Sequence, residues 1–300
     1  MPDAPPIGLL LDVDGPVSSP VERRIVRDAI AEGLTALANA GCPLVFNTGR
    51  SDAFVREVLL PRLVAAGLRP DAPVHAVGEK GATWFSWIAV DDPGSGTDGG
   101  LGTGGGPRGE AGPVGIDDAL RVPVDYVDAA HRILDDRFAD WAFWDDTKRT
   151  MVSIEARTDV PNAEFRRIQP ELDAALQAEL DARDLGGSFE LEPSIIACDV
   201  QHRGVGKDVG ARRALALVVA GAHGAPLPRL WLTAGDSRSD YRMSDELHAR
   251  GFEVVHVDAR AADADWAPPE VAYRVIHRPD LEHDDAFAAV LPEFVERALG

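Results

Sequence analysis

The first 85 residues alternate between short apolar runs and segments in which apolar residues recur with helical spacing. The runs at residues 7–11, 43–47 and 74–77 predict buried strands, because each is short and bounded by Gly, Pro or polar residues. Apolar residues recur at intervals of three and four over residues 22–40, and again from Ser51 onward, which predicts helices. Such alternation is typical of a parallel sheet covered by helices on both faces.

The pattern changes in the middle of the chain. Residues 91–115 are dominated by Gly, Pro, Ser, Thr and Asp, with almost nothing to bury, and predict a flexible segment. Beyond it we predict two antiparallel strand pairs and two helices, the second of them kinked or divided by Pro170. The helices are placed at 127–139 and 162–183, and the strands at 141–144, 150–156, 189–191 and 195–200.

The first pattern then resumes and closes the chain. Helices are predicted at 207–220, 240–250 and 286–299, and strands at 230–233, 252–257 and 273–276, of which the last two are interpreted as edge strands. The sequence therefore predicts an α/β protein whose Rossmann-like parallel sheet core is interrupted by a smaller α+β domain. We place the core at residues 1–85 and 193–300, and the inserted domain at 86–192.

Composition narrows the possible partners. A net charge of -20 argues against binding to nucleic acid or to an anionic membrane surface. The two cysteines form no CxxC pair, no apolar run is long enough to span a bilayer, and the N-terminus lacks the pattern of a signal peptide. We therefore expect a cytoplasmic protein, with no prediction of its oligomeric state.

Four polar stretches fall where strands of the predicted sheet end or where a helix begins. Because ligands of such sheets bind beyond the carboxyl ends of the strands, we expect these stretches to meet. Carboxylate oxygens together with substrate phosphate are the ligands that Mg²⁺ prefers, whereas nothing in the chain has zinc spacing. The stretches are Asp12-Val-Asp14-Gly15, Thr48-Gly49-Arg50, Gly206-Lys207-Asp208 and Gly235-Asp236-Ser-Arg-Ser-Asp240.

In order and spacing these stretches resemble the four motifs of the haloacid dehalogenase superfamily. The insertion between the second and third motifs resembles the C2 cap class, subtype B, found in sucrose-phosphatase and mannosyl-3-phosphoglycerate phosphatase. The resemblance implies a Mg²⁺-dependent phosphatase acting on a small phosphorylated metabolite, such as a sugar phosphate or a sugar-phosphoglycerate, through an aspartyl-phosphate.

The resemblance also implies a role for each matching residue. Asp12 would be the nucleophile, and Asp14 the acid and base that protonates the leaving oxygen and then activates water. The metal would be held by Asp12, the main-chain carbonyl of Asp14, Asp236 and, directly or indirectly, Asp240. Thr48 and Lys207 would hold the phosphoryl oxygens.

Other positions are less specific. Gly49, Arg50, Glu79 and Lys80 are candidate substrate-binding residues, although residues 79 and 80 fit an exposed turn equally well. The chain also departs from the resembled pattern, because it has Pro16 where Thr is usual and Ser239 where Asn is common. Pro16 removes a backbone donor beside the nucleophile, whereas Ser239 keeps the ability to hydrogen-bond.

Alternative interpretations stay open at this stage. Asp12 and Asp14 can be read as a strand end followed by an Asp-Gly turn, Lys207 as a surface lysine, and Asp236–Asp240 as a solvated loop with a helix cap. A phosphosugar mutase on the same fold, and a non-catalytic binding or regulatory protein, are the alternative functions.

Overall fold

The computed structural model describes residues 4–90, 107–194 and 196–300. The chain forms two compact units: residues 1–115 together with 206–300, and residues 116–205. None of the helices in the described ranges has the length and apolar character needed to cross a membrane.

The larger unit is built on one sheet. Its strands are β1 (Gly8–Leu11), β2 (Leu44–Asn47), β3 (Val74–Gly78), β4 (Thr83–Val90), β5 (Arg108–Ala111), β11 (Leu230–Gly235), β12 (Glu253–Asp258) and β13 (Arg274–His277), with the two-residue β6 (Gly115–Ile116) also on β4. The strand order is β13-β12-β11-β1-β2-β3-β4-β5. Neighbouring strands from β13 to β3 are parallel, while β4 and β5 are antiparallel to their neighbours.

Helices cover both faces of this sheet, because its central strands are apolar on both sides. Leu34, Leu63 and Phe294 pack on one face, and Leu215 and Leu247 pack on the other. The helices are α1 (Asp28–Asn39), α2 (Asp52–Phe54), which continues through the π-helical turn Val55–Leu59 into α3 (Leu60–Ala65), α6 (Lys207–Gly221), α7 (Tyr241–Ala249) and α8 (His283–Leu299). The predicted α/β class is confirmed.

The smaller unit is a four-stranded antiparallel sheet with two helices and its own apolar core. The strand order is β7-β8-β10-β9, so the two predicted strand pairs form one sheet. Its elements are α4 (Val124–Arg137), β7 (Ala142–Trp144), β8 (Val152–Ala156), α5 (Asn162–Ala182), β9 (Phe189–Pro193) and β10 (Ala197–His202). The two predicted helices are present as α4 and α5, and Pro170 lies inside α5 without dividing it, so of the two alternatives for Pro170 division of the helix is wrong.

Several predicted boundaries differ from the observed ones. The first helix begins at Asp28 instead of residue 22, and β12 is paired on both sides instead of forming an edge. Part of the segment predicted to be flexible is ordered, because Arg108–Ala111 pairs with β4, whereas residues 91–106 lie outside the described ranges. The main sheet consequently extends past residue 86, and the second compact unit spans Ile116–Val205.

Candidate active site

Two neighbouring central strands of the larger sheet are each followed by an acidic residue, at the end of the sheet where the carboxyl ends of the strands lie. β1 is followed by Asp12 and β11 by Asp236. The register pairs Leu11 with Ala234, and the Asp12 amide donates to the Ala234 carbonyl at 2.9 Å, so both acids leave the sheet side by side. The loop after β11 returns Asp240, which is fully buried, to the same place.

Lys207, the first residue of α6, places its ammonium group among these acids. Its Nζ lies 2.5 Å from Asp12 Oδ1 and 2.8 Å from Asp240 Oδ1. Lys207 is only 6% exposed, which rules out the surface lysine of the alternative interpretation. A buried lysine with carboxylate partners on two different loops holds those loops together through charge-assisted hydrogen bonds.

Asn47 fixes the position of this lysine, a role that the sequence did not reveal. The Lys207 ammonium donates to the Asn47 carbonyl at 2.9 Å, and the Asn47 side-chain amide donates to the Lys207 carbonyl, also at 2.9 Å. Asn47 is the last residue of β2 and is completely buried. Gly210, one turn into α6, leaves the room that the Asn47 amide occupies, since a Cβ there would overlap it.

Asp236 is positioned by a glycine and a histidine. Gly15 has a φ of +89°, and the Asp236 carboxylate packs where a Cβ of residue 15 would lie, so only glycine fits this turn. His283, at the start of α8, lies with its Nδ1 3.2 Å from Asp236 Oδ2. No sequence motif pointed to His283, because it is the first residue of α8, the last helix of the chain.

Asp240 has both a structural and an electrostatic role. Its Oδ2 accepts hydrogen bonds from the Ser237 amide at 2.9 Å and the Ser237 hydroxyl at 2.7 Å. The bond from the Ser237 amide is one half of a capping box, which the Ser237 side chain completes by accepting from the Asp240 amide. Its Oδ1 faces Lys207. The helix-cap interpretation of this loop is therefore correct, but the same carboxylate also belongs to the buried cluster.

The cluster has the donor set of a divalent-cation site. Asp12, Asp236 and Asp240 each offer a carboxylate oxygen within 4.8 Å of the others. Three carboxylates and one ammonium give a formal charge of -2, which a single divalent cation would neutralise. All-oxygen ligands of this kind suit Mg²⁺, so these residues fit the metal that the sequence pattern implies.

Burial and mutual repulsion perturb these acids. Burial raises the pKa of the Asp12 carboxyl well above its usual range, and the carboxylates of Asp240 and Asp236 add to this against the opposing effect of Lys207. Although burial alone would lower it, the pKa of the Lys207 ammonium is raised by its carboxylate partners. Burial likewise raises the pKa of Asp236. Strong perturbation of grouped acids is typical of functional sites.

Asp14 lies beside the cluster instead of within it. Its carboxylate forms a bidentate pair with Arg50, whose Nε and one terminal nitrogen lie 3.0–3.2 Å from its two oxygens. The Asp14 side chain is 37% exposed, in contrast to the buried Asp12. Asp14 is therefore partly open to solvent, and Arg50 fixes the orientation of its carboxylate.

The loop after β2 contains Thr48, which together with Lys207 is predicted to hold phosphate, and the candidate substrate-binding residues Gly49 and Arg50. Thr48 is completely buried, and its hydroxyl accepts a hydrogen bond from the Arg50 amide at 3.0 Å. The Lys80 side chain packs over Gly49, with its Cε 3.5 Å from the point where a Cβ of residue 49 would lie. Lys80, in the turn after β3, therefore places a second cationic side chain close to the glycine of this loop.

Residues 79 and 80 occupy an unusual turn that ties this loop to α6. Both have positive φ, 47° for Glu79 and 53° for Lys80, which costs non-glycine residues free energy. The Lys80 amide donates to the Thr48 carbonyl at 2.9 Å, and the Lys80 carbonyl accepts from the Gly206 amide at 2.8 Å. Glu79 is 1% exposed, so the exposed-turn interpretation is wrong for that residue.

Both departures from the resembled pattern are accommodated. The turn after Asp14 closes through the Gly15 amide on the Ser18 carbonyl at 3.1 Å and the Ser18 amide on the Val13 carbonyl at 2.8 Å, so the missing N–H of Pro16 breaks neither bond. Ser239 shares a 2.8 Å hydrogen bond with the Ser237 hydroxyl.

The fold is that of the haloacid dehalogenase-like hydrolases. The chain is similar to a haloacid dehalogenase-like hydrolase from Bacteroides thetaiotaomicron, with a TM-score of 0.55 and 11% identity over 96% of this chain and 98% of that one. It is also similar to the C-terminal domain of trehalose-6-phosphate phosphatase from C. albicans, with a TM-score of 0.60 and 15% identity over 97% and 92%. A third similar structure is ATP-bound IMP-nucleotidase from Plasmodium falciparum, with a TM-score of 0.55 and 10% identity over 99% and 61%.

These likenesses establish the fold. No protein-family model and no curated protein matches the sequence.

Proposed function

We propose that the protein is a Mg²⁺-dependent phosphatase of the haloacid dehalogenase superfamily that hydrolyses a small phosphomonoester. The observation that carries this proposal is the buried cluster in which Lys207 and three carboxylates surround the end of β1. Phosphoryl transfer asks a protein mainly to position the reactants and to neutralise charge, and this cluster offers both. The non-catalytic alternative leaves the cost of grouping these charges unexplained.

The contacts of Asp12 suggest how the first step proceeds. Its Oδ1 accepts hydrogen bonds from the Val13 amide at 2.7 Å and from Lys207, so we assign the attack on phosphorus to Oδ2. A bond from Oδ2 to phosphorus forms as the bond to the ester oxygen breaks, and Asp14 gives its proton to that oxygen. A bound Mg²⁺, held by Asp12, Asp236 and Asp240, would neutralise charge between two anions.

The second step uses the same residues, with Asp14 acting as a base instead of an acid. Asp14 takes a proton from water, the water oxygen bonds to phosphorus, and the bond to Asp12 breaks to release inorganic phosphate. Arg50 keeps the Asp14 carboxylate in place between the two steps. Lys207 and the Thr48 loop carry positive charge and donors toward the phosphoryl oxygens, which a chain of net charge -20 otherwise repels.

For the substrate we propose a phosphorylated sugar. The fold is shared with trehalose-6-phosphate phosphatases, whose substrate is a phosphorylated disaccharide, along most of both chains. We propose that residues 116–205, which form a four-stranded antiparallel sheet with two helices, are a C2 cap of subtype B. A nucleoside monophosphate is the competing substrate, because the same fold occurs in IMP-nucleotidase.

The test is a phosphate-release screen over sugar phosphates, sugar-phosphoglycerates and nucleoside monophosphates, with Mg²⁺ or with EDTA. We expect a sugar phosphate to be hydrolysed only with Mg²⁺, and Asp12→Asn to lose turnover by a factor of about 10³ or more while remaining folded. Asp28→Asn, which removes a carboxylate that is 75% exposed on α1, is the matched control.

Three outcomes would change the assignment. Near wild-type phosphate release by Asp12→Asn would show that Asp12 is not the nucleophile. Release of an isomeric sugar phosphate instead of inorganic phosphate would favour the mutase. Failure to hydrolyse every ester with Mg²⁺ present would favour a binding or regulatory protein.

A further inference from the structure

The three carboxylates of the acidic cluster do not share one nitrogen partner. Asp12 and Asp240 both contact the Lys207 ammonium, at 2.5 Å and 2.8 Å. The ion pair that Asp236 forms within the described residues is with His283 instead, whose Nδ1 lies 3.2 Å from Asp236 Oδ2. Lys207 therefore orients two of the acids, and the third depends on a histidine from the last helix of the chain.

Backbone hydrogen bonds fix the position of this histidine relative to Asp236. The His283 amide donates to the Ala259 carbonyl at 2.7 Å, and the Ala259 amide donates to the Gly235 carbonyl at 2.9 Å. Because Gly235 directly precedes Asp236, two consecutive hydrogen bonds join the start of α8 to the residue before this acid. The fold itself thus places the histidine ring beside the Asp236 carboxylate.

The backbone of His283 itself has an unfavourable conformation. Its φ is +52°, in the left-handed region that glycine and asparagine adopt more readily than histidine does. A histidine therefore stands where a smaller residue would suit the backbone better. Backbone strain of this kind collects at functional sites, where the side chain is needed in one particular place.

The contact occupies one oxygen of Asp236 and leaves the other for a cation. Oδ2 lies between the Gly15 turn and His283 Nδ1. The nitrogen is within hydrogen-bonding distance of Oδ2 but not aligned well enough for a full hydrogen bond, and it has no other hydrogen-bond partner in the described ranges. Nδ1 needs only to carry a proton, which the neutral ring and the charged ring can both provide.

We propose that His283 is a positioning residue for the metal site, which holds Asp236 Oδ2 so that the other oxygen of this carboxylate faces the cation. The inference rests on the proposed function, because it requires Mg²⁺ to bind among Asp12, Asp236 and Asp240. Residues that orient a metal-binding carboxylate typically contribute a factor of about 10–100 to metal affinity. His283 is not one of the three grouped ligands, so its effect is on Asp236 and not on the metal directly.

The test measures Mg²⁺ binding to the full chain by isothermal titration calorimetry, together with urea unfolding in EDTA. Glycine suits the φ of +52° but removes the ring, so His283→Gly should be at least as stable as the wild type in EDTA. We expect the same variant to raise the Kd for Mg²⁺ about tenfold or more. Asparagine tolerates this backbone and its side-chain amide can donate from the position of Nδ1, so His283→Asn should keep the Kd within about threefold of wild type.

The matched control is His223→Gly, because His223 also has a positive φ, 46°, but is exposed and follows the end of α6 opposite Lys207. This control should leave Mg²⁺ affinity unchanged.

A wild-type Kd in His283→Gly, an equal loss in His283→Asn, or an equal loss in His223→Gly would overturn the role of His283 and leave the proposed phosphatase standing. A wild-type protein that binds no Mg²⁺ would overturn both. If His283→Gly does not fold, His283→Phe, which keeps a ring without a donor, takes its place in the same comparison.

Discussion

Replacing Lys207 by methionine tests the electrostatic design of the candidate site most directly. Methionine keeps much of the apolar length of the lysine side chain but removes the ammonium that contacts Asp12 and Asp240. It also removes the donor to the Asn47 carbonyl. The buried cluster then changes from a formal charge of -2 to -3, since three carboxylates remain without their cation.

The expected destabilisation follows from these contacts. Breaking a buried ion pair from one side costs about 3–5 kcal/mol in other proteins, and Lys207→Met leaves both Asp12 and Asp240 without their ion-pair partner. In the absence of metal, we expect Lys207→Met to lower the free energy of unfolding by about 3–5 kcal/mol, which is a large part of the stability of a typical domain.

The assay is urea unfolding with EDTA and with increasing Mg²⁺. A ligand at one hundred times its Kd stabilises a protein by about 2.7 kcal/mol, so a bound metal is readily detected. Because the variant leaves the carboxylates without their internal cation, we expect Mg²⁺ to stabilise Lys207→Met by more than it stabilises the wild type. Phosphate release should nevertheless fall by about 10²–10³, because the metal cannot replace the lost donor.

Lys148→Met is the matched control, because Lys148 belongs to the separate unit of residues 116–205. If Lys207→Met unfolds at the same urea concentration as this control, the buried ion pairs do not stabilise the fold as we argue. If Mg²⁺ stabilises both variants equally, the cation does not compensate for the lost ammonium. If Mg²⁺ stabilises neither variant, the assignment of Asp12, Asp236 and Asp240 as a metal site is refuted.

Two further predictions concern helix packing and pH. Alanine normally stabilises a helix interior relative to glycine by about 1 kcal/mol. Gly210→Ala should instead destabilise the protein and reduce phosphate release, because the new Cβ overlaps the Asn47 amide that holds Lys207. A higher melting temperature with unchanged activity would contradict this prediction. Burial lowers the pKa of both His75 and His256 to about 4, below the value of about 6.5 in an unfolded chain. Between about pH 4 and pH 6.5 the unfolded state therefore binds more protons than the folded state. The stability that comes from keeping the two histidines neutral is fully present above about pH 6.5 and is lost as the pH falls toward about 4. Urea unfolding at pH 7 and pH 5 should show a loss of about 2 kcal/mol for each histidine, and His75→Phe should reduce that loss.

The periodicity of the sequence was sufficient to predict the class of fold and most of its elements. Short apolar runs became β1, β2, β3 and β11 because central strands of a parallel sheet are buried on both faces. The boundary of the inserted domain was not predictable in the same way. The apolar pattern of Thr83–Val90 predicts a strand but not whether that strand belongs to the main sheet or to the inserted domain. Its antiparallel pairing with β3 assigns it to the main sheet. Arg108–Ala111 has no strand pattern of its own and is ordered by pairing with β4.

At the candidate site, the sequence predicted the residues whose side chains lie at strand ends. It did not predict the residues that act only through tertiary contacts. The convergence of Asp12, Asp236 and Lys207 follows from parallel strands ending at one edge. Asn47 acts partly through its backbone carbonyl, which every residue possesses, so no residue pattern could identify it. His283 reaches Asp236 only because α8 begins beside that edge of the sheet, a consequence of folding that no local motif encodes. Asn47 and His283, which position the acids and the lysine, are therefore the residues that only a structure reveals.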